Sequence, residues 1–225
     1  MQLIVYGPAW FYGYESIFAF VFAFVTLLIC LLSFRAYGLT NDRKYKYFSL
    51  AFLLISAANF IIWLFTTILH LHLAPSLDAI LSQFDFAFLL YILLSILAYM
   101  TLLIIVLKIK TKKIILLLLS LSLLFVLFSR ENFLKFHITA FLLLFFLSYQ
   151  FYTNYLDTGK DNAKSVFVCF YLLTCAEIFF GLSMLAHEWF YVAANFIQLI
   201  GYFVLFYVFL RIVNHGRKKR KTRNY

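Results

Sequence analysis

The sequence predicts an all-α polytopic membrane protein, a bundle of seven transmembrane helices, and three observations carry that expectation. The chain of 225 residues is 65% hydrophobic and only 12% charged, against roughly a quarter charged in an average globular domain, which excludes a soluble fold. Seven apolar runs approach or exceed the ~20 residues that cross a hydrocarbon core: 15–38, 47–70, 85–108, 113–129, 133–155, 165–186 and 189–212. Seventeen of the nineteen Lys and Arg fall on one side of these runs, in alternate loops, the asymmetry that orients membrane proteins.

The elements follow in order. The stretch before Glu15 has no Lys or Arg, and the apolar run after it is too long for a signal-peptide core, so it reads as a first helix retained in the membrane. Trp10, Tyr12 and Tyr14 precede it and suit the outer aromatic belt. The loop after the first helix carries Arg43, Lys44 and Lys46, and the loop after the third carries Lys108, Lys110, Lys112 and Lys113; both are expected in the cytoplasm. The fourth run is the shortest. Between the fourth and fifth runs lie Arg130, Glu131 and Lys135, a sparse set that faces outward with Asp78, Asp85 and Glu188. Trp189 anchors the seventh helix at the outer belt. The expected topology is N-out/C-in in the cell membrane, with residues 1–214 as the bundle and 215–225 as a basic cytoplasmic tail.

The chain also matches itself. A shift of 118 positions lays YGLT at 37–40 on YLDT at 155–158 and AFLLISAAN at 51–59 on CFYLLTCAE at 169–177. A shift of 103 lays LAYMTLLIIVLKI at 97–109 on IGYFVLFYVFLRI at 200–212, pairing Tyr99 with Tyr202. Helices one to three (about 15–108) therefore resemble five to seven (about 133–212). The fourth (113–129) is an inverting linker, a parallel 3+1+3 internal repeat of the kind found in secondary transporters.

This three-one-three plan resembles, in layout alone, the microbial rhodopsins and the seven-helix sugar facilitators. The motifs of neither are present. Helix seven, WFYVAANFIQLIGYFVLFYVFLR, has no lysine to hold a retinal, and the only prolines, Pro8 and Pro75, lie outside the spans, where the sugar facilitators use proline-hinged helices. No family is assigned.

The residues that could carry chemistry are few. Glu177 is the one carboxylate well inside a span, where burying a charge costs at least ~2.5 to 3.5 kcal/mol on insertion scales. It is either a functional proton or cation site, or a neutral carboxyl that hydrogen-bonds across helices as packing. Thr174, Gly181 and Met184 share its helical face. Helix two repeats the pattern with Ser56, Asn59, Trp63 and Thr66, and Asn59 holds the position equivalent to Glu177. Helix seven contributes Tyr191, Asn195, Gln198 and Tyr202, and helix three Ser95 and Tyr99. An interior ligand or ion pocket is expected around Glu177, Asn59, Gln198, Asn195, Tyr99 and Tyr202.

Other features weigh less. His70 and His72, with Asp78 and Asp85, are possible metal or pH-sensing groups, but their spacing is unspecific and no metal is expected. Cys30, Cys169 and Cys175 all sit in apolar segments, with neither a disulfide nor a zinc pattern. The tail places Arg217, Lys218, Lys219, Arg220, Lys221 and Arg223 just after helix seven. This cluster anchors the cytoplasmic end and suits anionic lipid headgroups at ~1 kcal/mol per charge, or a protein partner; nucleic acid is not expected, because no folded basic domain accompanies it. No glycine-rich phosphate cradle, Ser-His-Asp order or HExxH pair occurs, so neither an enzyme nor a cofactor is expected. The reading is a receptor-like binding, sensing or interaction bundle; the alternative is a small secondary transporter or channel with Glu177 at its centre.

Overall fold

A computed structural model describes the chain path of residues 7–11, 13–71, 77–109, 111–127 and 132–223, with the side chains of 9, 69–85, 112, 122–132 and 216–223 outside the description. After a single 3-10 turn at Ala9–Phe11, seven α-helices follow: α1 Tyr14–Thr40, α2 Arg43–Leu71, α3 Leu77–Val106, α4 Lys112–Leu127, α5 Asn132–Thr158, α6 Asp161–Leu185 and α7 Trp189–Arg223. The seven apolar runs thus each became a helix.

Among the described residues, six of these helices, all but α4, are long and apolar enough to cross a membrane. The chain is an integral membrane helical bundle. The sequence marks the fourth run as the shortest and as the linker, and the structure separates α4 from the rest. Its 16 residues extend about 24 Å at 1.5 Å per residue, short of the ~30 Å hydrocarbon core; residues 128–129, which would complete the expected run, lie outside the description. At the other extreme, α7 has 35 residues, about 52 Å. The basic tail therefore begins as a continuation of α7, and its helix ends at Arg223.

The six long helices form a closed ring in which each packs on two neighbours, in the order α1, α2, α3, α5, α6, α7 and back to α1. Exchanging α1–α3 with α5–α7 leaves that order unchanged. Helix α4 stands outside the ring against α3, with Leu116, Leu117 and Leu121 exposed. Because the spans are apolar on every side, hydrophobicity cannot orient them. On α1 the buried face collects the small and polar residues Ala19, Ala23, Thr26, Ser33 and Ala36 together with Phe22, Val25, Ile29 and Leu32, while Phe20, Phe24, Leu31 and Phe34 are exposed. Small residues let helices approach closely where lipid offers apolar side chains no worse a solvent than protein.

Two tight corners join α1 to α2 and α5 to α6. Each helix ends with a residue in the left-handed region, Asn41 at φ 54° and Gly159 at φ 61°, types that tolerate this conformation. The Asn41 N–H donates to the Tyr37 carbonyl and the Gly159 N–H to that of Tyr155, each at 2.8 Å. The preceding Thr40 and Thr158 hydroxyls each donate back to a carbonyl one turn earlier, at Ala36 and Asn154. Every one of these pairs is separated by 118 positions. The end of α3 is closed differently: Lys108 N–H donates to the Ile105 carbonyl and Ile109 N–H to that of Ile104, a Schellman ending with a lysine at φ 54°.

Candidate functional site

The ring interior holds most of the polar groups that the described residues bury. Glu177, Asn59, Gln198, Asn195, Tyr99 and Tyr202 are all buried, as a solvent of hydrocarbon requires of polar side chains that lack an exit to water. They do not form one contiguous cluster.

The strongest contact involves a residue that the sequence reading passed over. His137, on the second turn of α5, approaches Glu177 on α6 with 2.6 Å between Nδ1 and Oε2, and each side chain is only about 5–6% exposed. The histidine ring is enclosed by Phe133 and Phe136 edge-on and stacks on Phe180 at 4.8 Å. A carboxyl and an imidazole this close and this dry form a charge-assisted hydrogen bond when ionised, and a neutral pair when the proton sits on the carboxylate. Either way the pair satisfies the carboxyl that would otherwise be costly to bury. One proton more or less changes the net charge of the bundle interior by one unit at this point.

A second set of buried polar groups lies on α3 and α7. The Gln198 amide donates to the Tyr202 hydroxyl at 3.3 Å, and Tyr99 and Ser95 are buried on α3.

The other expected members behave differently. Asn59 turns its amide back to the Ile55 carbonyl of its own helix at 2.8 Å, as Asn195 does to Tyr191 at 2.9 Å. Thr174 is buried and bonded to the Phe170 carbonyl, whereas Met184, expected on the same inward stripe, is exposed. In helix two, Ser56 crosses to α1, donating to the Ala23 carbonyl at 2.8 Å, and Trp63 packs against Phe20 and Phe60. The three cysteines are free, in keeping with their apolar surroundings. His70, His72, Asp78 and Asp85, and the side chains of the basic tail, lie outside the described residues. Among those described, no group of three His, Cys, Asp or Glu is placed to hold a metal ion.

For His137, spacing about the α5–α6 corner gives its level relative to Glu177 but not the direction in which it faces. In antiparallel neighbours joined by a two-residue corner, residues equidistant from the corner share a level, and the corner at 159–160 sets His137 and Glu177 within a turn or so of each other. Comparison with known protein families, curated proteins and solved structures found no match. The function has to be argued from this site.

Proposed function

We propose that this chain is a proton-linked membrane protein, a small secondary transporter in which Glu177, paired with His137, takes up and releases the proton. The buried 2.6 Å His137–Glu177 contact carries this reading. Ionisable groups inside a membrane are costly and are characteristically used in proton relays, and α3 and α7 of the same ring bury further polar side chains, Tyr99, Gln198 and Tyr202. The symmetric order of the helix ring and the duplicated corners support a parallel 3+1+3 repeat with α4 as linker, an arrangement in which carriers bind substrate between the halves. The charge distribution supports an N-out/C-in, seven-span topology in the cell membrane, with the basic end of α7 against anionic headgroups.

Reconstituted protein is expected to move protons in response to a solute gradient, and Glu177→Gln to abolish that movement while keeping the fold. Difference infrared spectra of wild type against Glu177→Gln, over about pH 4 to 9, are expected to show the carboxyl changing its protonation state. A carboxyl that keeps one protonation state throughout would make Glu177 a packing residue and remove the proposal. One observation favours the second reading, a receptor-like binding or sensing bundle: among the described residues the long helices run without the Gly or Pro interruptions of a rocking carrier. Titration without solute-linked flux would select it.

A further inference from the structure

We propose, independently of the proton-linked reading of Glu177, that the lipid-facing side of α5 and α6 binds a second copy of this chain, with Tyr149 and Tyr152 of one copy hydrogen-bonded to Tyr171 of the other. Tyr149 on α5 and Tyr171 on α6 are 55% and 54% exposed. Both lie within about four residues of the centres of the spans Phe133–Thr158 and Asp161–Leu185. Tyrosines that face lipid belong at the headgroup level; at this depth hydrocarbon offers a phenol neither donor nor acceptor, so an unpaired one is costly. Among the described residues neither hydroxyl has a hydrogen-bond partner.

The tyrosines share one surface. Tyr152, also exposed, is one turn from Tyr149 and meets Phe167 of α6 at 5.2 Å, and Phe167 meets Tyr171 at 6.0 Å. They also share a level. Tyr149 and Tyr152 lie 10 and 7 residues before the corner at Gly159, and Tyr171 lies 12 residues after it, about 15, 10 and 18 Å along the helices. Side chains lean toward the N-terminus of their helix, so the α5 tyrosines reach away from the corner. Tyr171 reaches back toward it, to the depth of the other two.

Two copies inserted in the same orientation can share only a two-fold axis along the membrane normal, and that axis keeps every residue at its depth. It turns α5 of one copy onto α6 of the other and sets the α5 tyrosines against Tyr171 of the second copy, once on each side, as an isologous contact requires. A phenol both donates and accepts, so the surface complements itself. The first half of the ring lacks this feature: 118 positions earlier stand Leu31, Phe34 and Leu53, exposed as well but without a hydroxyl. Lipid suffices for that face, whereas polar side chains between membrane helices hold them together.

The test is the dimer fraction in liposomes as a function of protein density, read by single-molecule photobleaching, for wild type, Tyr171→Phe, the pair Tyr149→Phe and Tyr152→Phe, and all three changes together. Phenylalanine keeps the ring and removes only the oxygen, and an unchanged denaturation midpoint checks that the fold is kept. Wild type is expected to dimerise. Tyr171→Phe and the α5 pair are each expected to weaken association about tenfold, for two interhelical bonds per dimer. The three changes together should weaken it no further, because both sets remove the same bonds. Wild type that stays monomeric at every density, or a dimer that keeps its affinity in Tyr171→Phe, would overturn the proposal. Losses that multiply in the triple variant would overturn it too, since the α5 and α6 hydroxyls would then have different partners. A different membrane protein that co-purifies with a monomeric wild type and is lost in Tyr171→Phe would assign the face to that protein instead.

Discussion

The two halves of the ring, α1–α3 and α5–α7, are built alike at their corners and differently at their centres. At the corners, Asn41 and Gly159, Thr40 and Thr158, and Tyr37 and Tyr155 play the same parts in the same hydrogen bonds. About five to six turns deeper into the bundle the likeness stops. Where the second half places His137 against Glu177, the positions 118 earlier are Ala19 and Asn59, and the Asn59 amide bonds only within its own helix. Glu15 of α1 is likewise replaced 118 positions later by Phe133, whose ring stacks on Phe88 of α3 at 6.3 Å. The two sets of helices therefore place different side chains at corresponding positions.

The comparison can be broken most forcefully at the charged pair. Glu177→Leu leaves His137 buried without its partner and is expected to cost about 3 to 5 kcal/mol, whereas the double change with His137→Leu should recover much of that loss. Chemical unfolding in detergent with a double-mutant cycle measures both; a loss of under 1 kcal/mol for Glu177→Leu would mean that the carboxyl contributes nothing as a partner. The next effect is steric. An Ala at Gly201 would bring its Cβ to 3.1 Å from Cδ2 and 3.3 Å from Cγ of Leu173, and such overpacking costs about 1 to 3 kcal/mol. The matching position in the first half, 103 earlier, is Ala98, fully buried. Ala98→Gly should thus cost only about 1 kcal/mol, as a lost helix propensity, so the two reciprocal swaps compare α6–α7 packing with α2–α3 packing.

Smaller effects sharpen the match at the corners. Gly159→Ala forces a Cβ into the left-handed region and should lower stability by about 1 kcal/mol, while Gly159→Asn, copying the first corner, should cost less. Replacing Lys108 by Gly at φ 54° should raise stability by up to about 1 kcal/mol, because a non-glycine residue is strained there. The smallest change is expected at Asn59: its self-contained hydrogen bond predicts about 0.6 kcal/mol or less for Asn59→Leu. A cost near that of Glu177→Leu would show that the two halves share one polar network after all. Thermal or denaturant midpoints of the purified variants rank these outcomes.

Much of the architecture was legible in the chain because hydrocarbon is an unforgiving solvent. Apolar runs of about 20 residues must be helices when no water can satisfy their backbone, and the positions of seven helices follow from that alone. The duplicated corners were legible too, since YGLT and YLDT carry the tyrosine whose carbonyl accepts the closing bond and the threonine beside it. The site was legible only in part. Glu177 announced itself, because a carboxylate inside an apolar run is costly to bury, and Gln198, Tyr202 and Tyr99 followed by helical spacing.

The partner of Glu177 was not legible, and neither was the outlying place of α4. Each depends on how helices rotate about their axes and which ones meet. In spans that are apolar all round, hydrophobicity gives no preferred face, so rotation is decided by close contacts among small residues such as Ala19, Ala23 and Gly201 and by the pairing of buried polar groups. Composition and spacing determined that this protein lies in a membrane as a bundle of helices carrying one deeply placed acid. Only the tertiary structure decided that this acid meets His137, because that contact is the product of helix register and rotation, and neither is encoded in any one span.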